Sequence, residues 1–310
     1  MSVPHPIQAD ELPEVGDLLD SIFRRPRGVT DQHLLTDFPL VFCRKNARNS
    51  RVIKSDGRIV SHAAIWEREL VDNEQTFKVA IVVSVATHPD HRRLGHAASL
   101  MKDLQRTLHE EAFDLGILWT MVPDFYIKLG WETVTPHGWL VPMDNISCSP
   151  APSKDFKVEP FDHGIYLDQV LALYDQQPVR FTRTRDEARL LFTLPKVPVW
   201  VAKQEGQVVA YLVDGQATNK KGLTEYGGTL EGITTILNHL LTTQPSEPGR
   251  PLVVYHPRQD LLTWATNQGA MPQPLPSCKG MAHEMIYIVD RDRVTPRICK
   301  RLFVWGLDQA

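Results

Sequence analysis

The chain has little of several things. Among 310 residues there are only four cysteines, Cys43, Cys148, Cys278 and Cys299. They are scattered, with no C-x-x-C pair, which argues against a structural zinc site or a disulfide framework and fits a reducing cytoplasm. Long apolar runs are missing too: no stretch reaches the ~18 consecutive apolar residues of a membrane-spanning helix. The first residues, Met1 to Pro6, carry no basic cluster and no apolar core, and Asp10 and Glu11 follow, so no secretory leader is expected. Charge of one sign is also scarce. Lys and Arg total 34 against 37 Asp and Glu, a formal net charge of −3. That balance gives no global reason for a nucleic-acid or membrane-surface partner.

What is present is the composition of an ordinary folded protein, 42% hydrophobic and 23% charged. The length fits two domains at roughly 150 residues each. Leu12, Val15, Leu18, Leu19 and Ile22 recur at helical spacing over residues 10–24. Strands are expected over 50–54 and 58–70, joined by an Asp56-Gly57 turn, and over 77–87. In the last of these Val79, Ile81, Val82, Val83 and Val85 leave both faces apolar, the mark of a central strand. The period then changes. Leu100, Leu104 and Leu108 recur every four residues in a helix expected from Gly95 to Phe113. A strand over 115–122, a short helix over 124–129 stopped by Gly130, and a strand region over 131–143 complete the first half.

A Ser/Pro-rich stretch marks a linker at 147–155, dividing residues 1–146 from 156–310. The second half echoes the first. Residues 203–209 repeat the pattern of 54–60, and 252–269 that of 117–130. Gly57 to Gly95 spans 38 residues and Gly206 to Gly232 only 26, so the second copy is expected to lack about one strand and its turn. The fold class expected is α/β, an α+β mixed sheet, in two tandem domains of which the second is degenerate.

The segment from Val83 to Ser99 carries the chemistry. A buried strand runs into a glycine-containing loop that opens a long helix. The first turn of such a helix leaves about four backbone N–H groups unpartnered at the positive end of its dipole, a site for an anion such as a pyrophosphate. Nucleotide binding of the usual kinds is disfavoured, because neither G-x-G-x-x-G nor a Walker lysine is present. Arg92-x-x-Gly95-x-Ala97 fits the Q/R-x-x-G-x-G/A signature of the GCN5-related N-acetyltransferase (GNAT) superfamily. About 30 residues on, Phe125-Tyr126-Ile127-Lys128-Leu129-Gly130-Trp131 resembles that family's F-Y-x-K-x-G-F motif. The resemblance covers about residues 5–145. The tandem layout resembles the enhanced-intracellular-survival type of GNAT protein, a group that usually carries a third, sterol-carrier-like domain for which this chain is short.

The resemblance implies acetyl-CoA as co-substrate, no metal, and an amine acceptor, with a homo-oligomer left open. Acetyl-CoA would lie in a split between strands 77–87 and 115–122. Backbone groups of Val85, Ala86 and Thr87 would pair with the pantetheine arm. Backbone amides of Arg93, Leu94, Gly95, His96, Ala97 and Ala98, with the Ser99 hydroxyl, would hold the pyrophosphate, and the charges of Arg92 and Arg93 would favour the acidic 3′-phosphate of CoA. Tyr126 matches the family's general acid, which protonates the departing thiolate. Many members place a glutamate on the central strand as base; here Ile81 and Val83 stand instead. Glu67 and Glu69 on the preceding strand are substitutes, and so is the carboxylate of Ala310 at the end of an apolar tail. His88 and Asp124 read as loop or cap residues. Trp66, Trp119, Trp131 and Trp139 could line an acceptor groove. The second half lacks the Q/R-x-x-G-x-G/A pattern and has Ala265 where Tyr126 stands, so it is expected to bind no acetyl-CoA. The alternative to catalysis is a non-catalytic CoA-binding or interaction module.

Overall fold

A computed structural model describes residues 3–30, 33–134, 138–143, 146, 155–215, 222–243, 251–255, 258–275, 283–301 and 306–308. The expected linker at 147–155 lies outside these apart from Asp155, as do Ala310, Cys148 and Cys278. Strand β1 (His5–Pro6) and helices α1 (Leu12–Phe23) and α2 (Leu34–Asp37) come first. Strands β2 (Ser50–Ser55), β3 (Arg58–Asp72) and β4 (Gln75–Thr87) follow, then α3 (His96–Glu110), β5 (Leu115–Thr120), α4 (Pro123–Ile127), β6 (Glu132–Thr133) and β7 (Gly138–Pro142). The second half runs β8 (Phe156–Pro160), α5 (His163–Asp175), β9 (Val179–Phe181), α6 (Arg185–Phe192), β10 (Val199–Gln204), β11 (Gln207–Asp214) and β12 (Leu223–Gly228). After it come α7 (Leu230–Thr243), β13 (Pro251–Tyr255), α8 (Gln259–Asn267), β14 (Gln273–Pro274), β15 (His283–Ile288) and α9 (Pro296–Arg301).

Local chemistry accounts for these elements. Two-residue turns link β2 to β3 and β3 to β4. Asp56 and Asn73 adopt the positive φ that such turns demand. Leu100, Leu104 and Leu108 of α3 are fully buried, while Lys102, Arg106 and Glu110 face water. Strand β4 is sandwiched: Ala80 and Val82 pack toward α3, while Val79, Ile81 and Val83 join the larger core on the opposite face.

Two mixed sheets result, with matching strand orders. The first runs β1-β2-β3-β4-β5-β15-β6, and β9 adds to β3; the second runs β8-β10-β11-β12-β13-β7-β14. Each half lends the other a strand. β7, from the first half, pairs with β13 and β14, and β15, from the second, pairs with β5 and β6.

The second copy has not lost a strand, contrary to the expectation from spacing. β10, β11 and β12 correspond to β2, β3 and β4. The deficit is in strand length: β3 and β4 have 15 and 13 residues, β11 and β12 only 8 and 6.

Candidate active site

The site begins as a defect in the first sheet. Strands β4 and β5 run parallel and pair only at Val79–Leu115, Ala80–Gly116 and Ile81–Ile117. Both continue beyond that point, β4 to Thr87 and β5 to Thr120. Each is held there only on its outer edge, β4 by β3 and β5 by β15. The inner edges of Val82–Thr87 and Leu118–Thr120 therefore diverge, with no strand between them among the described residues. A bulge accompanies the divergence: Ser84 and Val85 oppose the single residue Ala63, and Ser84 takes a φ of +51°. The extra residue resets the alternation, so Val85 packs with the α3-side core and Ala86 with the other.

The end of β4 leads into an anion cradle. Arg93 and Gly95 both have positive φ, +64° and +82°, and fold the loop sharply before α3. Gly95 is the N-cap of that helix and no side chain caps it. The first intrahelical bond is donated by Ser99 to the Gly95 carbonyl at 3.0 Å. The N–H groups of His96, Ala97 and Ala98 thus precede the helical ladder, at its positive end. A side chain at Gly95 would meet nothing within 4 Å, so open space lies in front of the turn. Arg92 donates from Nε to the Thr87 carbonyl at 3.2 Å, tying the loop back to β4. Arg92, Arg93 and Leu94 are exposed, and Ser99 is half-buried in the first helical turn. His88 accepts from the Asp90 N–H, as a loop residue does.

Tyr126 rises from α4 beside the end of β5. It is 7% exposed and packs edge-on to Phe125 and Trp131. Burial pushes its phenol up to about 12, with a smaller opposing effect from a hydrogen bond to Thr120, the last residue of β5. The hydroxyl is therefore protonated at neutral pH. Gly130 closes the turn with a φ of +86°, and the Trp131 N–H returns to the Tyr126 carbonyl at 3.1 Å.

The structure brings Val85, Ala86, Thr87, the 92–99 loop and Tyr126 to the two arms and mouth of one split. Glu67 and Glu69 are placed elsewhere. They pair with Ala80 and Lys78, where β4 is still closed against β5 or has not reached it. Glu67 lies 3.5 Å from both Arg48 and Lys78; Glu69 is exposed and makes no ion pair among the described residues. Both line a groove of about 1000 Å³ that also touches Leu40, Cys43, Asn46 and Trp66. Trp66 pairs with Ile81, the last closed position of β4, although neither Ile81 nor Ile117 itself lines the groove. Of the four tryptophans singled out, only Trp66 lines it among the described residues. Trp131 is core, 2% exposed, and fills the space over Gly116. Trp119 donates to Glu284, and Trp139 belongs to the second sheet.

Two features had weak signals in the sequence. His62, beside Ser61 in the otherwise apolar stretch from Ile59 to Trp66 of β3, is fully buried and bonds the Ser84 carbonyl at the bulge. Asp308, in the apolar tail, is also fully buried. It bonds Arg183, Arg68 and Tyr174, and Arg183 in turn grips Glu225 through two 2.8 Å bonds. In the second half the corresponding junction is different in kind. One residue, Thr229, separates β12 from α7, and a Cβ at Gly228 would lie 2.1 Å from the Val209 carbonyl oxygen. There is no loop there to wrap an anion, and Ala265 is buried.

Among the described residues no group of three or more His, Cys, Asp and Glu side chains is arranged to hold a metal, and no helix is long and apolar enough to cross a membrane.

Comparison with known proteins agrees with this geometry. Residues 4–134 match the family model described as an acetyltransferase (GNAT) domain. No curated protein matches the chain. Among solved structures, a probable N-acyltransferase from Enterococcus faecalis V583 superposes with a TM-score of 0.70 at 14% identity, covering 94% of this chain and 73% of that one. A GCN5-related N-acetyltransferase from Anabaena variabilis gives 0.65 at 14% identity over 93% and 73%. Eis1 from Mycobacterium abscessus gives 0.58 at 12% identity over 93% and 74%. These superpositions speak for a shared fold over most of the chain, and the family model for residues 4–134. Over residues 4–134 the chain carries an acetyltransferase domain of the GNAT family.

Proposed function

We propose that the chain transfers an acetyl group from acetyl-CoA to a primary amine, by direct attack within a ternary complex. That it is an acyl-CoA-dependent N-acyltransferase follows from its GNAT domain; the acceptor class, the residue roles and the order of events are the proposal. The observation that carries it is the split. β4 and β5 stop pairing at Ile81–Ile117, and the mouth of the gap holds an uncapped helix start on one side and Tyr126 on the other.

The residues present fit the co-substrate. Acetyl-CoA would supply the acyl thioester. The free inner edge around Val85 and Thr87 offers backbone donors and acceptors to an extended amide-bearing arm, as an added strand would. The N–H groups of His96, Ala97 and Ala98 face the pyrophosphate, with the Arg93 and Gly95 turns shaping the cradle. Tyr126 gives its phenolic proton to the departing sulfur, forming S–H as the C–S bond breaks. The groove through Trp66 admits the amine, and its free carboxylate Glu69 collects the proton that the nitrogen loses, through water. At roughly 3.3 Å per strand residue, the three positions between Lys78 and Ile81 put this carboxylate about 10 Å from the apex, too far for direct transfer. The second half, lacking a loop before α7, walls the acceptor groove and binds no acetyl-CoA.

A second reading, a CoA-binding module without turnover, is favoured by one observation: β4 presents Ile81 and Val83, both buried, where a basic side chain would be needed. Initial rates of thiol release with acetyl-CoA and a panel of primary amines separate the two. Intersecting double-reciprocal lines are expected for a ternary complex. Parallel lines would replace direct attack by a covalent enzyme intermediate, and binding without thiol release would favour the module.

A further inference from the structure

We propose that His62 is a positioning residue for acyl-CoA: its ring N–H holds the Ser84 carbonyl and so fixes the bulge that keeps β4 apart from β5. The inference rests on the reading that acyl-CoA occupies the split. His62 pairs with Ala86, directly across β3 from the arm that would meet the pantetheine. Its Nδ1 lies 2.9 Å from the Ser84 oxygen. A carbonyl can only accept, so Nδ1 carries the hydrogen. The ring is fully buried and, among the described residues, Nε2 has no hydrogen-bond partner. A neutral imidazole with one proton therefore spends it on Ser84 and leaves its lone pair unanswered. An apolar side chain of similar size would avoid that unmet acceptor, so packing against Phe42, whose ring centroid is 6.0 Å away, does not by itself explain a histidine.

The Ser84 carbonyl explains it. Ser84 sits at positive φ, a conformation that L residues other than glycine rarely take, and shares with Val85 the place opposite Ala63. The bulge displaces its carbonyl from the regular β3–β4 ladder. His62 supplies the donor that the ladder no longer does, from the strand across. This bond holds the extra residue in place, and the extra residue turns the inner edge of Val85–Thr87 away from β5. Without it, β4 can relax toward regular pairing and close on the space an acyl-CoA arm needs.

The test is acetyl-CoA affinity by calorimetry, with a thermal scan of each protein, for wild type and His62→Asn, His62→Gln and His62→Leu. Asn places an amide N–H where Nδ1–H is; Gln places it one bond too far; Leu has none. The Asn variant is expected to bind within about threefold of wild type, and the Gln and Leu variants about tenfold more weakly, as loss of one buried hydrogen bond allows. Ser84→Gly in the Leu background is expected to recover part of that loss, because glycine takes positive φ without strain. Gln or Leu proteins that bind within about twofold of wild type would overturn the proposal, even if they melt at lower temperature. Should the Leu protein not fold, the Asn–Gln contrast decides. Wild type that binds no acetyl-CoA defeats the reading of the split instead, a separate result.

Discussion

Burying an imidazole makes stability depend on acidic pH. Burial holds His62 down at about 4 from the usual 6.5, while the bond to Ser84 opposes this weakly. The unfolded chain then binds the extra proton at higher pH than the folded one. Stability contributed by the neutral ring is complete above the unfolded value, and it is lost as pH falls from about 6.5 through about 4. The loss is about 3 kcal/mol, at roughly 1.4 kcal/mol per pH unit. Urea unfolding at pH 7 and pH 4.5, for wild type and His62→Asn, should show a drop that the variant largely lacks; equal drops would contradict the assignment. Tyr126 is shifted in the opposite sense for a related reason, its phenol raised to about 12 by burial. No alkaline fall in kcat from this group is therefore expected up to about pH 10. The two residues differ in legibility. Tyr126 stands in a motif with fixed neighbours, so its place could be read. His62 acts on a carbonyl 22 residues away across a bulge, and nothing in its own neighbourhood in the chain announces that.

At the scale of elements, helix and strand types follow the apolar periods closely, because α3 and β4 each bury whole faces. Their ends follow less well: β3 extends to Asp72 and β5 stops at Thr120. The split itself was expected only from the family resemblance. Apolar period identifies β4 and β5 but not where they part. The tail illustrates another limit. Residues 302–307 read as an apolar tail, and Leu307 is buried, yet the anchor is the charged neighbour Asp308. Asp308 and Glu225 balance Arg68 and Arg183 in a network out of reach of water, with Arg183 stacked 3.8 Å over the Tyr174 ring. Removing one carboxylate strands a buried guanidinium. Asp308→Ala should cost about 3–5 kcal/mol in urea unfolding, whereas a loss below about 1 kcal/mol would show the network to be dispensable.

Across the whole molecule, the exchange of β7 and β15 joins the halves more firmly than a linker could. Local sequence gives a strand region over 131–143, not which sheet edge it will fill, since pairing partners are chosen by tertiary packing. A protease site placed at 147–154 should, after cleavage, leave two fragments that co-elute in native gel filtration and separate only in denaturant. Fragments that part on cleavage would contradict the pairing. The isolated first half would leave the outer edge of β5 bare, an invitation to aggregate. The same exchange supports the division of labour proposed above, because β15 braces one arm of the split from the second half. The most direct measurement of that division is thiol release from acetyl-CoA in the presence of primary amines, compared with acetyl-CoA affinity, for wild type and Tyr126→Phe. The expected result is amine-dependent release by wild type, and a loss of about a hundredfold or more in turnover by the variant at unchanged affinity. Equal turnover by the two proteins, or binding without release by either, would contradict the account.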